Sequence, residues 1–564
     1  MSNKSAVDLV QSVRAYHTLS KHAPNRSAPG PGQLDWKTQP DPFRTFAGAN
    51  RFALPLVADT IPTPHQGLYQ PFGRLSPAPL DSRGVAALLE LSLGLAAWKV
   101  FQNQQWPLRC NPSSGNLHPT EGYVVLPTLP PGNAPRLPAG LYHYLSRDHL
   151  LELRWQPAEV ALAQWEQAFV AGGFLLGLSS IHWREAWKYG VRAFRYCQLD
   201  VGHAAAAVSY AAATLGWRAT LLSAVADDDI SRLLALNRGE AETVPEGQPG
   251  SPPEPEQPDL LLWISTTVSP AQPSVKSIRQ LASQVNAGPS WFGMPNRLSP
   301  WHAHAWSDID RVAAATHKPV TAVESLPTAS RPPLQVAVPQ LAAATLIRQR
   351  RSGQHYDPRG YLAKAAFLRL LDASLYRSGQ SPWGLIPWPA RIHWVLMVHR
   401  VTDLAPGLYL LLRRDDGVAS MRGLLHGDFL WEPVADAAGL PLFRLAQGDM
   451  QATAQFLSCQ QEIAADGAFS VGMLGEFEAA LAMGAWGYRH LYWEAGILGH
   501  ILYLEAEAEG MRGTGIGCYF DDFFHQMLGL RDGQLQSLYH FTVGKPIEDD
   551  RLQTRPPYSF VDNR

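Results

Sequence analysis

The stretch FRYCQLDVGHAAAAVSYAAATLGWRA, residues 194–219, decides how this chain folds, because much of it returns at residues 488–513 as YRHLYWEAGILGHILYLEAEAEGMRG. The offset of 294 residues (488 − 194) needs no gap. Arginines, glycines and aspartates recur at this offset, as in the pairs Arg195/Arg489, Gly202/Gly496, Gly216/Gly510, Arg218/Arg512, Asp227/Asp521 and Asp228/Asp522. Biased composition would match alanines and leucines, but not this set, so the chain contains an internal repeat.

Segments on either side of this stretch also occur twice. LDSRGVAALLELSLG, from Leu80, resembles LAKAAFLRLLDASLY, from Leu362, and AGLYHYL, from Ala139, resembles PGLYLLL, from Pro406. Each copy is predicted to be an α+β unit of over 200 residues that ends in a strand. Its earlier elements are a helix (84–98; 364–376), two strands (122–127 and 140–145; 392–398 and 407–413) and a long helix (194–215; 488–509). Glycine tolerates positive φ, so Gly216 and Gly510 are predicted to end the long helices.

The repeat divides the chain into unit 1 (residues 1–267), a connector (268–338) and unit 2 (339–564). PEGQPGSPPEPEQPD, residues 245–259, cannot be helical, because proline lacks the amide donor and clashes within a helix. It is predicted to be an exposed loop before the last strand of unit 1. A connector of this length suggests that the two units wrap around each other.

Composition narrows the possible classes of protein. Hydrophobic residues make up 46% of the 564 residues, charged residues 17%, and the net charge is −2, so the chain lacks the basic footprint of a nucleic-acid binder. The four cysteines are too scattered for a disulfide framework and form no CxxC pair. The N-terminus has no signal-peptide core, and no apolar run reaches the length of a membrane span. A protein of the cytoplasm, without a membrane partner, is the prediction.

Two motifs in unit 2 suit an anionic ligand. In RQRRSGQHYD, residues 348–357, guanidinium groups and a serine hydroxyl could bind a phosphate, although basic clusters are more often solvated surface turns. MRGTGIGCYFDD, residues 511–522, has three alternate glycines that could bring backbone N–H groups to a ligand, or could form a tight turn into a strand. A long helix precedes these glycines, which excludes a Rossmann fingerprint, and the Lys of a P-loop is absent.

Three motifs lie in unit 1 and the connector. RCNPSSGNLHPTEGYVV, residues 109–125, offers Ser113, Ser114 and Asn116 to the polar edge of a flat heteroaromatic ring, or as helix caps. Lys188 and Tyr189, in WKYG, could transfer protons, or could be a surface lysine beside a packed tyrosine. WHAHAWSD, residues 301–308, offers His302, His304 and Asp308, which is too weak a pattern to predict a metal site.

Taken together, PSSGNLHPTE, FRYCQLDVGH, RRSGQHYD and GTGIGCYFDD resemble the nitroreductase-like flavoproteins, and most closely the SagB/ThcOx-type dehydrogenases. That family implies an α+β sandwich that forms an intertwined homodimer, with FMN at the interface. For this chain it implies two tandem sandwich units that form an intramolecular pseudo-dimer. The implied activity is FMN-dependent dehydrogenation of azoline rings in modified peptides or of a related small substrate. An NAD(P)H-dependent nitro or quinone reductase, or a non-enzymatic scaffold in a peptide-modifying complex with partner proteins, are the alternatives.

The resemblance also assigns residues, and it divides them between the units. Lys188 and Tyr189 match a pair linked to proton abstraction, and Gln354 stands where many relatives have a basic residue. Unit 1 has WRATLLSAV, from Trp217, in place of the glycine-rich motif, and unit 2 has SPWGLIPWP, from Ser381, in place of PSSGN. Each unit therefore supplies only one side of a site, so one composite site and about one FMN per chain are expected. The implied FMN contacts are Pro112, Ser113, Ser114 and Asn116 of unit 1, and Arg350, Arg351, Ser352, Gln354, Gly513, Thr514, Gly515, Ile516 and Gly517 of unit 2.

Overall fold

A computed structural model describes residues 5–130, 136–236, 253–269, 271–286, 291–323, 331–414, 417–437 and 439–559. The helices in these ranges are α1 (Ala6–Leu19), α2 (Ser82–Ser92), α3 (Glu159–Gln167), α4 (His182–Tyr189), α5 (Ala193–Thr214), α6 (Asp227–Leu234), α7 (Val275–Asn286), α8 (Ser307–Ala315), α9 (Ala343–Gln349), α10 (Lys364–Ala373), α11 (Val418–Leu424), α12 (Gln451–Leu457), α13 (Ile463–Asp466), α14 (Phe477–Leu481), α15 (Gly487–Ala508) and α16 (Asp521–Leu528). The strands are β1 (Phe46–Ala47), β2 (Arg51–Ala53), β3 (Leu95–Phe101), β4 (Gln104–Arg109), β5 (Thr120–Leu126), β6 (Gly140–Leu145), β7 (Leu150–Trp155), β8 (Gly173–Ser180), β9 (Arg218–Leu221), β10 (Gln257–Ser265), β11 (Met294–Pro295), β12 (His355–Tyr356), β13 (Ile392–Val398), β14 (Gly407–Leu411), β15 (Glu432–Pro433), β16 (Leu442–Gln447), β17 (Phe469–Glu476), β18 (Arg512–Ile516), β19 (Leu535–Gly544), β20 (Pro546–Ile547) and β21 (Gln553–Arg555).

Two seven-stranded antiparallel sheets form the framework. Their strand orders are β2-β7-β6-β5-β8-β10-β9 and β15-β16-β14-β13-β17-β19-β18, so six of the seven strands occupy corresponding places, and the edge strands β2 and β15 come from different points of the two units. The central strands are buried along their whole length because helices or the other unit cover both faces. The predicted α+β fold, with two tandem sandwich units in one pseudo-dimer, is confirmed.

The repeat found in the sequence is reproduced to the residue in the structure. Adding 294 to the bounds of α5 gives α15, and adding 294 to those of α6 gives α16. The strands β9 and β18 begin 294 residues apart as well, at Arg218 and Arg512. Gly216 and Gly510 follow the long helices with φ of +67° and +69°, as the prediction of a glycine stop requires.

The two long helices pack against each other at the repeated glycines. A Cβ on Gly202 would lie 2.3 Å from the backbone oxygen of Trp493, and one on Gly496 would lie 2.2 Å from that of Leu199. Each glycine also faces the other, because a Cβ on either would be 2.9 Å from the Cα of its counterpart. The two equivalent glycines therefore lie at the pseudo-twofold axis.

Buried ion pairs at this interface are reciprocal. Arg195 of unit 1 contacts Asp521 of unit 2 at 2.7 Å, and Arg489 of unit 2 contacts Asp227 of unit 1. These two pairs map onto each other when the repeat offset is applied. In an isologous interface each residue meets the same partner type from the other side, so the units pair as a homodimer would.

Both ends of the chain cross from one unit to the other. In α1, His17 hydrogen-bonds the Tyr488 hydroxyl at 3.1 Å and Gln536 at 3.0 Å, both in unit 2. At the other end β21 pairs with β3 of unit 1, and Tyr558 donates to the Ser146 carbonyl at 3.0 Å. These crossings, rather than the connector alone, wrap the units around each other.

Several sequence predictions need correction. The helix predicted over 84–98 ends at Ser92, and Leu95–Phe101 is the strand β3, held between β4 and β21. The first two of the three alternate glycines lie within the edge strand β18, paired with β19, rather than in a tight turn before a strand. Glu254 and Glu256, predicted to be exposed, are buried, while residues 245–252 lie outside the described part.

The connector contains two helices, α7 and α8. The unit bounds 1–267 and 339–564 stay predictions. No described helix is long and apolar enough to cross a bilayer.

Candidate active site

A cavity of about 580 Å³ lies between the two units, within the range of typical small-molecule sites, roughly 300–1,000 Å³. Unit 1 contributes the loop between β4 and β5, the last residue of α4 and the N-terminal half of α5, and unit 2 contributes the segment after α9, part of α15 and β18. Lys188 and Gly513 do not line it. The predicted residues that do are Pro112, Ser113, Ser114, Asn116, Tyr189, Arg350, Arg351, Ser352, Gln354, Thr514, Gly515, Ile516 and Gly517.

Two adjacent arginines give one side of the cavity a positive charge, and the nearby Glu507 offsets only part of the effect that burial has on their pKa values. Arg350 is 4% exposed, and its guanidinium donates to the Arg109 carbonyl at 3.3 Å. Arg351 donates to the carbonyls of Arg348 and Arg350, each at 2.7 Å. Burial, with the charge of Arg350, lowers the pKa of Arg351 to about 10, and burial lowers the pKa of Arg350 too. Neither arginine forms an ion pair with any residue that the structure describes, so an anionic group would stabilise this side.

The opposite side is the PSSGN loop, whose backbone is turned by three positive φ angles. Gly115, Asn116 and His118 have φ of +57°, +59° and +52°. The Asn116 amide holds this shape, since it donates to the Pro107 carbonyl at 2.9 Å and its oxygen contacts the His118 ring at 2.9 Å. That amide is therefore engaged within the loop, and its predicted contact with a flat ring stays a prediction.

Asp200 is a wall residue of the cavity that the sequence analysis missed. It lies within α5, is 1% exposed, and accepts hydrogen bonds from the Ser114 hydroxyl at 2.9 Å and the Ser114 N–H at 3.1 Å. Burial raises the pKa of Asp200 to about 7, and the serine hydrogen bonds offset only part of this effect. The signal was present in the repeat, since Asp200 and Glu494 place an acid at the same position of two apolar helices.

The lysine and tyrosine of WKYG occupy different positions relative to the cavity. Tyr189 ends α4 and borders the cavity, where a Cβ on Gly115 would lie 2.4 Å from its hydroxyl. Burial raises the pKa of Tyr189 well above its ordinary value, so this hydroxyl keeps its proton. Lys188 places its Nζ 5.3 Å from the centre of the Tyr189 ring. One turn earlier, Glu185 is buried, and neither carboxylate oxygen has a hydrogen-bond partner among the described residues.

The glycines of β18 make room for tyrosines and do not form a nest of free N–H groups. Gly515 donates its N–H to the Tyr503 hydroxyl at 3.0 Å, and a Cβ there would lie 1.8 Å from the Tyr539 hydroxyl. Tyr503 also contacts the Ser352 hydroxyl at 3.0 Å and lies 5.0 Å from the Arg350 guanidinium. Aromatic side chains therefore connect β18 to the arginine segment.

A disulfide between Cys459 and Cys518 also lines the cavity. It joins the loop after α12 to the end of β18. The scattered cysteines suggested no disulfide framework, and a single bond between residues 59 apart leaves no spacing pattern to find.

The pseudo-symmetric position of the second site is filled. A cavity of only about 30 Å³ lies beside Trp217, Arg218 and Ser381, the segments that replace the glycine-rich and PSSGN motifs. Glu494, the counterpart of Asp200, pairs with Arg413 at 2.5 Å and accepts from the Trp388 indole at 3.2 Å. Asp200 borders the large cavity, whereas its counterpart is buried against an arginine and a tryptophan.

Comparison with known proteins agrees with this fold. No family model matches the sequence. The chain is 27% identical over 176 residues, 30% of its length and 82% of the relative's, to MJ1384 of Methanocaldococcus jannaschii, which is provisionally named a nitroreductase. A crystal structure from Anabaena variabilis, provisionally described as a nitroreductase, has a TM-score of 0.65 and 22% identity, covering 95% of this chain and 99% of that one. A chain of the E. coli microcin synthetase McbBCD complex, with truncated pro-MccB17 bound, is 18% identical and covers 36% of this chain and 70% of its own. Its TM-score of 0.27 is too low to indicate a shared fold.

Proposed function

We propose that this chain is an FMN-dependent oxidoreductase with one composite site per chain. One observation carries the proposal: the buried Arg350 and the half-buried Arg351, neither in an ion pair with a described residue, line a cavity of about 580 Å³. Leaving such charges without an ion-pair partner is costly, so their arrangement favours an anionic ligand, and a phosphate suits arginine best. The sequence relative named for nitroreduction supports the same class of activity.

In this proposal Arg350, Arg351 and Ser352 bind the phosphate, and Ser113, with the loop it belongs to, contacts the flavin ring. A bound flavin would supply the two-electron transfer to or from the substrate. The protein would orient the ring, exclude water and hold protons at the wall. Tyr189 and Asp200 are suited to that last role, because both can be protonated near neutral pH.

The substrate we propose is an azoline ring in a modified peptide or a related small molecule. The resemblance of WKYG to the Lys-Tyr pair of azoline-oxidising enzymes supports it, and Tyr189 borders the cavity. Lys188 would reach the substrate only after its side chain turns from the Tyr189 ring. The alternative is an NAD(P)H-dependent nitro or quinone reductase, which the name of the sequence relative favours.

The visible spectrum of the purified chain, before and after reconstitution with FMN, tests the proposal. We expect a flavin spectrum that an Arg350→Met variant does not retain. A chain that stays colourless after reconstitution would disprove flavin dependence. Anaerobic mixing then separates the substrates, because bleaching by an azoline peptide supports the dehydrogenase and rapid bleaching by NADPH supports the reductase.

A further inference from the structure

The surroundings of the Cys459–Cys518 disulfide differ from those of the two remaining cysteines. Both of its cysteines line the cavity and are only half-buried. The remaining cysteines, Cys110 and Cys197, are free and buried, and burial raises the pKa of the Cys110 thiol to about 11. Only the thiolate is nucleophilic, so Cys110 is unreactive at neutral pH. Of the four cysteines, only the bonded pair is open to a ligand in the cavity.

The backbone at this disulfide adopts a conformation that proteins rarely tolerate without a reason. Cys459 and Gln460 follow each other with φ of +54° and +62°, although neither is glycine. Strained residues of this kind concentrate at functional sites. Here two of them place one sulfur at the wall of the cavity.

The two sulfurs would remain close together after the disulfide is reduced. Gln461 donates from its side chain to the carbonyls of Ser458 at 2.8 Å and Cys518 at 3.2 Å. The Phe520 N–H donates to the Leu457 carbonyl at 2.8 Å. These bonds tie the loop to the end of β18 independently of the disulfide, so the bond can open and close without displacing the cavity wall.

We propose that Cys459 and Cys518 are a redox-active disulfide that exchanges electrons with a reduced cofactor in the cavity. The S–S bond breaks on accepting two electrons and two protons, which gives two thiols. A reduced flavin supplies both electrons and both protons and is returned to its oxidised form. The inference rests on the proposed function for the flavin, and it adds a second two-electron centre to the site. Disulfides that are exposed in this way are typically the labile or catalytic ones.

Anaerobic reduction with dithionite tests the disulfide directly in the full-length, FMN-loaded protein. We expect complete reduction to need two two-electron equivalents per FMN in the wild type. The Cys459→Ser, Cys518→Ser double variant should need one, a twofold difference. After partial reduction, alkylation and mass spectrometry should find the label on Cys459 and Cys518, with the buried Cys110 and Cys197 as unlabelled internal controls.

Apoprotein treated with the same dithionite is the second control, because without flavin its disulfide should be reduced at least tenfold more slowly. Alkylation of the wild type needs no variant, so it remains informative if the double variant misfolds. An FMN-loaded wild type that takes up one equivalent, or that shows no label on this pair, overturns the inference and leaves the proposed function standing. Failure to bind FMN at all would instead overturn the proposed function.

Discussion

At the residue scale, one side of the cavity carries charged arginines, whereas the other carries an acid whose neutral form is favoured by burial. Arg350 and Arg351 are attracted by the charge of Glu507, but neither forms a direct ion pair with a described residue. Asp200 is an acid whose burial favours the neutral form, and only serine groups are hydrogen-bonded to it. A ligand that is anionic at one end and polar but uncharged at the other fits this arrangement.

Replacing Arg350 with methionine should change cofactor binding and stability in opposite directions. FMN binding should weaken at least about 30-fold, because losing one partner of a buried charge pair costs about 2 kcal/mol or more. The apoprotein should gain about 1 kcal/mol, since a buried charge without an ion-pair partner is removed. Equilibrium dialysis and urea unfolding of the apoprotein measure the two effects. Arg359→Met, on the exposed side of the same segment, is the control and should change neither.

Replacing Asp200 with asparagine should remove a pH dependence of stability. The pKa of Asp200 is raised from 3.8 to about 7 by burial, so its folded form holds the proton more tightly than the unfolded chain. This group stabilises the fold fully below about pH 4, and the contribution is lost as the pH rises through 7. The difference in free energy of unfolding between the wild type and Asp200→Asn should therefore fall by about 1.4 kcal/mol per pH unit from about pH 4 to about pH 7.

Urea unfolding of the apoprotein at several pH values measures this slope. The surface substitution Asp403→Asn is the matched control, and its curve should run parallel to that of the wild type. Parallel curves for Asp200→Asn as well would contradict the assignment of a raised pKa.

At the scale of elements, the sequence was most informative where a feature occurs twice. The bounds of α5 and its copy α15 were predicted to within one residue, because glycine, arginine and aspartate pairs repeat without a gap. The strand β3 could not, because LAAWKVF has no helix-breaking residue and its strand character comes from pairing with β4 and with β21, over 450 residues away. The disulfide was missed because it depends on contacts between distant segments, whereas Asp200 could have been found from the acid that the repeat places at one position of both long helices.

Substituting Gly202 with alanine should separate the two long helices. The new Cβ would lie 2.3 Å from the Trp493 backbone oxygen, which cannot rotate away as a side chain would. Overpacking of this kind costs typically about 1–3 kcal/mol. Gly423→Ala in α11 is the matched control, because no atom lies within 4 Å of its Cβ, and alanine should stabilise that helix by about 0.5–1 kcal/mol. Urea unfolding that shows equal effects for the two variants would argue against a tight crossing at Gly202.

At the scale of the whole molecule, joining two units in one chain removes the need for two identical sites. Each unit keeps the parts that serve one cavity: the PSSGN loop in unit 1, and the arginines and β18 in unit 2. In unit 2 the counterpart of Asp200 is Glu494, which forms an ion pair with Arg413 and accepts a hydrogen bond from Trp388. The two units can diverge in this way because each has its own sequence and covalent linkage keeps them paired with each other. In a homodimer of identical subunits, every substitution would change both sites together.

Cofactor stoichiometry and its response to dilution test this arrangement. We expect one FMN per chain, because the second position leaves only about 30 Å³. A site shared between separate subunits would release its cofactor when dilution dissociates them. Here both sides of the site lie on one chain, so the FMN dissociation constant should not vary with protein concentration when flavin fluorescence is followed over a hundredfold dilution. Two FMN per chain would show that the second position opens, and an affinity that falls on dilution would show that the site needs another molecule.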